Sequence, residues 1–406
     1  MVMDIMIKRE KYLKNIRPFY DQDLVKVITG IRRCGKSVIL TQIMDELKQN
    51  GIKSEQIIYV NFEFADYIDI TDAKELNNYV EKKLVNENKY YVFFDEIQNV
   101  DRWERVVNSL KSKYNNNISI FITGSNSDLL SGELATHIAG RYVSFKVYPF
   151  TFDEVCEFKC VKDKDKYDLE KVFDDYIIWG GMPQRFYMSD DFQVKTYLSD
   201  VYNSIVIKDI VERFKIKDLD LFNKMLTYIV TTPSQTFSAE NLSNYLYGEK
   251  IEVSKMTIYN YLEYMCRSML INKADRYDVR GKRILNGKYK YYLTDLGLGQ
   301  VINSERKKQM GAYLENIVYN ELISRGYDVK VGTLENGEID FIATKFDDKE
   351  YYQVAYHLND EIIDREFGVY NNIQDNYPKY VISYDTFDFS QNGIIHKNII
   401  DFLLNK

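Results

Sequence analysis

The stretch Ile28-Thr-Gly30-Ile31-Arg32-Arg33-Cys34-Gly35-Lys36-Ser37 decides how the rest of this 406-residue chain is read. Gly30, four residues, then Gly35-Lys36-Ser37 is the spacing of a phosphate-binding loop. Glycines let such a loop turn back and aim successive backbone N–H groups at phosphate oxygens. A helix that starts at Lys36 turns its positive end toward the same anion. Lys36 then reaches the β and γ oxygens, and the Ser37 hydroxyl coordinates Mg2+. Gly30, Ile31, Arg32, Arg33, Cys34, Gly35, Lys36 and Ser37, with Val38 in the first turn, are therefore candidate ATP contacts. The eight-residue pattern also arises by chance, as a glycine turn before a helix. Context argues against that here: an apolar strand, Leu24 to Ile28, leads in, and Val38, Ile39, Leu40, Ile43, Met44 and Leu47 continue as an amphipathic helix.

Working outward, Gln56 to Phe62 reads as a second buried strand. Asp66 to Asn88 is polar with helical spacing at Leu76, Val80 and Leu84. Tyr90 to Phe94 is a continuous apolar run that ends in Asp95-Glu96. A carboxylate at such a strand end holds a Mg2+-bound water, which is the role expected of Asp95, and the next carboxylate, Glu96, polarises the attacking water. Trp103 to Tyr114 reads as a helix with Trp103, Val106, Val107, Leu110 and Tyr114 inward. Ile118 to Thr123 is a further core strand that ends in Gly124-Ser125-Asn126-Ser127. Ser125 or Asn126 is the candidate sensor of the γ-phosphate; the competing reading is a helix cap. Arg141, just before the strand Tyr142 to Val147, stands where an arginine finger is supplied, in its own subunit or to a neighbour; the competing reading is a surface arginine.

Composition narrows the class. Hydrophobic residues make up 45% and charged residues 28%, as in a globular protein of two or three domains. The formal charge of −7 excludes a polycation, so a nucleic-acid surface must be a local patch. Met1 to Arg17 lacks the apolar core of a signal peptide, and no run approaches a membrane span. Cys34, Cys156, Cys160 and Cys266 are the cysteines; Cys156 and Cys160, four apart, are expected to be core thiols rather than metal ligands. The expected setting is the cytoplasm, with reduced thiols.

Beyond single motifs, the chain resembles a family. Gly30-Ile-Arg-Arg-Cys-Gly-Lys-Ser37, Phe94-Asp-Glu-Ile-Gln-Asn-Val100, Ile122-Thr-Gly-Ser-Asn-Ser127 and the segment Ser131 to Arg141 are similar to those of prokaryotic AAA+-superfamily ATPases that carry a carboxy-terminal domain of unknown function. The likeness continues through Gly180-Gly-Met-Pro183 and Lys208 to Arg213 and so spans nearly the whole chain. It implies ATP and Mg2+ as cofactors and leaves the biological task open.

Thr151 to Phe214 reads as a helical lid, with Gly180 to Pro183 as its turn and Arg185 just beyond. Residues 218–298 read as a winged helix. Asp220 to Val230 is its first helix; Ser238 caps the second, with Leu242, Tyr245 and Leu246 inward; Ser254 caps the third, with Ile258, Leu262, Met265 and Met269 inward. The outer face of the third helix shows Lys255, Tyr259, Asn260 and Glu263, a face that suits a major groove. Two strands flank Arg280, Lys282 and Arg283, and Asn272 to Tyr292 holds seven Lys or Arg against two Asp, a local +5 that suits a wing on DNA phosphates. The competing reading is a protein-contact module.

In the last segment a helix carries Glu315, and strands Glu338 to Ala343 and Tyr351 to Tyr356 carry Asp340, Gln353 and Ala355. This layout resembles the PD-(D/E)xK nuclease fold, whose active members have an acid and a lysine where Gln353 and Ala355 stand. Glu315, Asp340 and Gln353 thus read as a remnant of a metal site. The fold class expected is α/β: a P-loop NTPase with a parallel sheet of about five strands, a helical lid, a winged helix and a C-terminal α/β nuclease-like domain. Boundaries fall at 1–150, 151–215, 216–304 and 305–406. The function expected is ATP hydrolysis coupled to DNA binding. A nucleotide-switched scaffold that binds protein and an ATP-assisted nuclease are the alternatives, and oligomerisation is left open.

Overall fold

The computed structural model describes residues 7–130, 140–161, 166–232, 234–302, 309–335 and 337–406. They divide into two compact units, 1–148 with 267–269, and 149–266 with 270–406. The boundary at 304/305 and most of the segment Ser131 to Arg141 lie outside the described residues.

In the first unit the apolar runs become strands β1 (Val25–Thr29), β2 (Ile57–Asn61), β3 (Tyr90–Asp95), β4 (Ile118–Gly124) and β5 (Tyr142–Lys146). They form one parallel sheet in the order β2-β3-β4-β1-β5. Every residue of β1, β3 and β4 is buried, Lys26 and Ser119 included, which is why those segments read as nearly continuous hydrophobic runs; β5, at the edge, has no buried residue. Helices α1 (Glu10–Ile16), α2 (Lys36–Gln49), α3 (Ala73–Lys83) and α4 (Trp103–Tyr114) accompany the sheet. Asp72 starts α3 by accepting hydrogen bonds from the N–H groups of Lys74 and Glu75. Leu76 and Val80 of α3, and Trp103, Val106, Val107 and Leu110 of α4, enter the core with the strands, each contributing about 1.5–3 kcal/mol. The expectation of about five parallel strands holds, and its consequence is positional. In a parallel sheet all carboxyl ends share one edge, so the segments after the adjacent strands β3, β4 and β1 emerge side by side.

The second unit begins with α5 (Phe152–Phe158), α6 (Lys166–Trp179) and α7 (Asp191–Ser204), the last running on as a π-helical stretch, Ile205–Glu212. The turn at Gly180-Gly181 is buried, and its Gly181 N–H donates to Asp295 at 2.7 Å. Next come α8 (Leu219–Thr231), α9 (Ala239–Gly248) and α10 (Lys255–Arg267). Ser238 caps α9 through the Asn241 N–H, and Ser254 accepts from the Thr257 N–H at the start of α10. Ile258, Leu262, Met265 and Met269 are buried as expected. Tyr245 is not: it is 41% exposed and lies against Tyr228, at the edge of the apolar stripe. Cys156 is a core thiol, but Cys160 has left the helix in a left-handed conformation and is exposed, so the expectation of two core thiols is corrected for it.

The hairpin β6 (Ile271–Asp278) and β7 (Arg283–Leu293) does not stand alone. With α11 (Leu296–Ile302), α12 (Met310–Ser324), β8 (Asp328–Leu334), β9 (Gly337–Lys345), β10 (Asp348–Val354), α13 (Asp360–Gly368), β11 (Lys379–Ser383), β12 (Ile395–Asn398) and α14 (Ile399–Leu403) following, the strands form one sheet of order β12-β11-β10-β9-β8-β6-β7. β6 joins it by running parallel to β8, with Arg276, Tyr277 and Asp278 beside Val331, Gly332 and Thr333. No helix among the described residues is long and apolar enough to cross a membrane.

Candidate functional site

The loop after β1 is closely packed. A Cβ on Gly30 would stand 2.4 Å from the Val147 carbonyl and 2.6 Å from the Cys34 sulfur, so only glycine fits. Gly35 has φ +102° and caps α2, a conformation that glycine adopts without strain. Arg33 is also left-handed at φ 67° and exposed, while Cys34 is fully buried, which pushes its thiol pKa up. Arg9 supports the loop. Its buried guanidinium donates to the Cys34 carbonyl at 3.0 Å and to the Tyr148 carbonyl at 3.0 Å. An isolated arginine ahead of the first strand carries no local signature of this role; Arg9 meets the loop only in the folded chain.

Lys36 folds back over the loop. Its ammonium donates to Gly30 O at 3.1 Å and Ile31 O at 3.4 Å and stands 3.1 Å from Glu96 Oε1. Burial opposes charge on both side chains, yet the pair outweighs it: the ammonium is held above its ordinary pKa and the Glu96 carboxyl below its own. Gln98 adds a second hold, its amide donating to Glu96 Oε2 at 2.5 Å. Glu96 sits at φ 55°, just past the strand, where the chain turns sharply enough to bring its carboxylate to the loop lysine.

Asp95, fully buried at the end of β3, is fastened on both oxygens. Thr123 donates to Oδ1, while Tyr59 at 2.9 Å and Asn61 at 3.0 Å donate to Oδ2. Thr123 also accepts from the Glu96 N–H at 2.9 Å, so one hydroxyl at the end of β4 orients both acids. Tyr59, Asn61 and Thr123 carry no motif of their own in the sequence; only the pairing of β2 and β4 with β3 brings them to Asp95. Ser125 and Asn126 follow β4 and are buried; Ser37 is half-buried in the first turn of α2 beside Val38. Arg32 pairs with Glu63 at 2.9 Å.

Arg141 is not brought to this cluster. Its carbonyl accepts from the Val25 N–H, at the start of β1, whereas the loop follows the end of β1. Four residue steps of strand, about 13 Å, separate the two edges. The Arg141 side chain is exposed.

In the second unit, Arg185 is buried and committed to Gly180 O at 2.8 Å and Asp175 at 3.0 Å, as a structural turn requires. Lys255, Tyr259 and Asn260 lie exposed on α10, and Arg280, Lys282 and Arg283 at the hairpin tip. The +5 count over the hairpin overstates its free charge. Lys273 pairs with Asp275, Arg276 with Glu338, Arg280 with Glu335, Arg283 with Asp278, and Lys290 with Glu315 and Glu338. Three of those carboxylates, Glu335, Glu338 and Glu315, arrive from the β8–β9 turn, β9 and α12, which the hairpin meets only in the folded sheet. Glu315 and Asp340 do converge, around Lys290. Gln353 turns its amide oxygen to the Asp340 N–H and its amide nitrogen to Glu366.

A parallel five-stranded sheet, a phosphate-binding loop between β1 and α2, and an acidic pair at the end of β3 beside the loop lysine together make a P-loop nucleotide-binding domain. Residues 22–156 match a family described as an AAA domain, AAA_14, and residues 170–309 match a domain of unknown function, DUF8612. The chain belongs to the same family as an "Uncharacterized protein" of Haemophilus influenzae, to which it is 38% identical over 401 residues, 98% of this chain and 99% of the relative. It is also 33% identical to "Uncharacterized protein MJ1544" of Methanocaldococcus jannaschii, over 85% of this chain and 78% of that one. Among solved structures, the Aeropyrum pernix ORC2 protein is similar over 76% of this chain and 91% of its own, with a TM-score of 0.40 and 9% identity. A Thermotoga maritima RuvB variant is similar over 69% and 93%, with a TM-score of 0.31 and 14% identity.

Proposed function

We propose that the chain hydrolyses ATP with Mg2+ at the loop between β1 and α2. The observation that supports this reading is the 3.1 Å approach of Lys36 to Glu96, which unites the phosphate loop and the acidic strand end at one site. The Ser37 hydroxyl and Asp95 supply the hard oxygen donors that suit Mg2+, with Asp95 acting through a metal-bound water since both its oxygens already accept hydrogen bonds. Bound Mg2+ neutralises charge on the β and γ oxygens. Backbone N–H groups from Gly30 to Val38 receive the phosphates, and Lys36 exchanges the Gly30 and Ile31 carbonyls for them. Glu96, released from Lys36 but still held by Gln98, orients the attacking water. Asn126, with Ser125, senses the γ-phosphate from the end of β4.

Arg141 fits a finger that serves a neighbouring subunit, because it lies on the sheet edge away from its own loop. That assignment requires an oligomer. Steady-state phosphate release by wild type, Lys36→Ala and Glu96→Gln tests the core of the proposal. Wild type turns over, Lys36→Ala does not, and Glu96→Gln is slowed by about a hundredfold or more.

We further propose that turnover is coupled to DNA through a winged helix built from α8, α9, α10 and the β6/β7 hairpin, with the exposed Lys255, Tyr259 and Asn260 toward the groove and Arg280, Lys282 and Arg283 toward the backbone. The pairing of the hairpin cations favours a second reading, in which this face binds protein and nucleotide acts as a switch. Duplex DNA that raises ATP turnover supports the first; unchanged turnover supports the second. In both readings residues 305–406 act as a binding module and not as an efficient nuclease.

A further inference from the structure

The second unit contains a charge cluster that ATP hydrolysis does not use, built on the buried Lys290 and Glu315 with the half-buried Glu338 and Asp340. Lys290, on β7, is 4% exposed. Its ammonium lies 3.1 Å from Glu315 Oε1 of α12, 2.5 Å from Glu338 Oε1 and 3.9 Å from Asp340 Oδ1 of β9. Tyr292 donates to the same Glu315 oxygen at 2.7 Å, the Val354 N–H donates to Asp340 Oδ2 at 2.9 Å, and Arg276 takes the other oxygen of Glu338 at 3.0 Å. Three carboxylates from two elements therefore converge on one cation from a third. Buried like charges at this spacing repel strongly unless a positive group sits between them. Converging carboxylate oxygens in a protein interior are also what a divalent ion such as Mg2+, Mn2+ or Ca2+ demands. Here the carboxylates stand apart around the ammonium, and among the described residues no group of three or more His, Cys, Asp or Glu is placed to hold a metal ion.

We propose that Lys290 is a built-in cation that occupies the place of a divalent ion among Glu315, Glu338 and Asp340, and so fastens the β6/β7 hairpin to the C-terminal sheet. Chain proximity points to other lysines, and they are engaged elsewhere. Lys330 pairs with Asp328, and Lys345 donates to the Arg325 carbonyl at 2.7 Å, so neither enters the cluster. Lys290 reaches it because β6, its hairpin partner strand, pairs with β8. The cluster also explains why the ammonium is held above its ordinary pKa although burial opposes its charge.

The test uses the full-length chain without nucleotide, so the ATP site does not enter it. Lys290→Met removes the cation and keeps most of the length of the side chain. The variant is expected to melt at a lower temperature than wild type and to recover as Mn2+ is added. It should acquire a Mn2+ site about tenfold or more tighter than any in wild type, read by calorimetry. Lys290→Met combined with Asp340→Asn should lose that site, which separates it from Mn2+ held in the first unit. If Lys290→Met is recovered only unfolded, refolding with and without Mn2+ asks the same question: a higher folded yield with Mn2+ supports the proposal and equal yields overturn it. A Mn2+ response absent from the folded variant overturns it too. So does a wild-type Mn2+ site that Asp340→Asn abolishes, since lysine and metal would then share the cluster.

Discussion

Glu96→Gln separates the two jobs assigned to one side chain. Glutamine keeps the shape and retains a carbonyl oxygen for the Gln98 amide, which donates at 2.5 Å in the wild type. It loses the negative charge, and with it both the base and the partner of Lys36 at 3.1 Å. Both members of that pair are under 10% exposed, so the apo variant is left with a buried, uncompensated ammonium. Breaking a buried pair from one side costs about 3–5 kcal/mol, lessened here by the Gly30 and Ile31 carbonyls that still receive the lysine. The γ-phosphate restores the missing negative charge. Apo Glu96→Gln should therefore melt below wild type, gain more stability from ATP than wild type does, and bind ATP more tightly, by about tenfold for each 1.4 kcal/mol that wild type spends on parting Lys36 from Glu96. Hydrolysis should fall by about 10²–10⁴-fold. Calorimetric melting with and without ATP and single-turnover phosphate release measure the two halves. ATP binding weaker than wild type, or normal turnover, would refute the reasoning.

Arg141→Ala should lower kcat by about a thousandfold while sparing ATP affinity; if the finger acts on a neighbour, mixing Arg141→Ala with Lys36→Ala subunits restores part of the activity, and wild-type kcat in Arg141→Ala alone would make it a surface residue. Reversing charge at Arg280, Lys282 and Arg283 should weaken duplex DNA binding and flatten its salt dependence by roughly 0.9 for each phosphate no longer neutralised; an unchanged slope in a salt titration would transfer the face to a protein partner. Lys26, near the start of the interior strand β1, donates to Ser119 at 2.7 Å, and burial pushes its pKa down to about 7. Between that value and the unfolded-state value the unfolded chain holds the extra proton, so wild-type stability should rise with pH from about 7 toward 10.5. Lys26→Met should flatten that slope, with its largest gain over wild type below pH 7 in denaturant titrations; parallel pH profiles would contradict it.

The first unit was legible because its signals are local. Each buried strand is one largely apolar run, α4 shows its stripe at Trp103, Val106, Val107 and Leu110, and the loop glycines are tied to chemistry at fixed spacing. What escaped lies across the sheet or far along the chain. Thr123 serves Asp95 from 28 residues away, and Arg9 reaches Tyr148 across 139. The position of Arg141 relative to the loop followed from the parallel pairing of β1 with β5 and not from its place in sequence. The hairpin was the hardest case. Its charge count was correct, but β6 beside β8 brings Glu335 and Glu338 against those cations, and a parallel pairing between distant segments leaves no periodic mark in either. The same pairing buried Lys290, which by composition looked like one more phosphate-binding cation.

The central claim, that Lys36 and the Asp95-Glu96 pair form one ATP-hydrolysing site, is tested most directly by phosphate release from wild type and Lys36→Ala at saturating ATP, each with Mg2+ and with excess EDTA. Turnover by wild type that needs Mg2+ and disappears in Lys36→Ala, with the variant folded and no longer stabilised by ATP, is the result predicted. Equal phosphate release by both proteins, or nucleotide stabilisation of Lys36→Ala as strong as that of wild type, would contradict it.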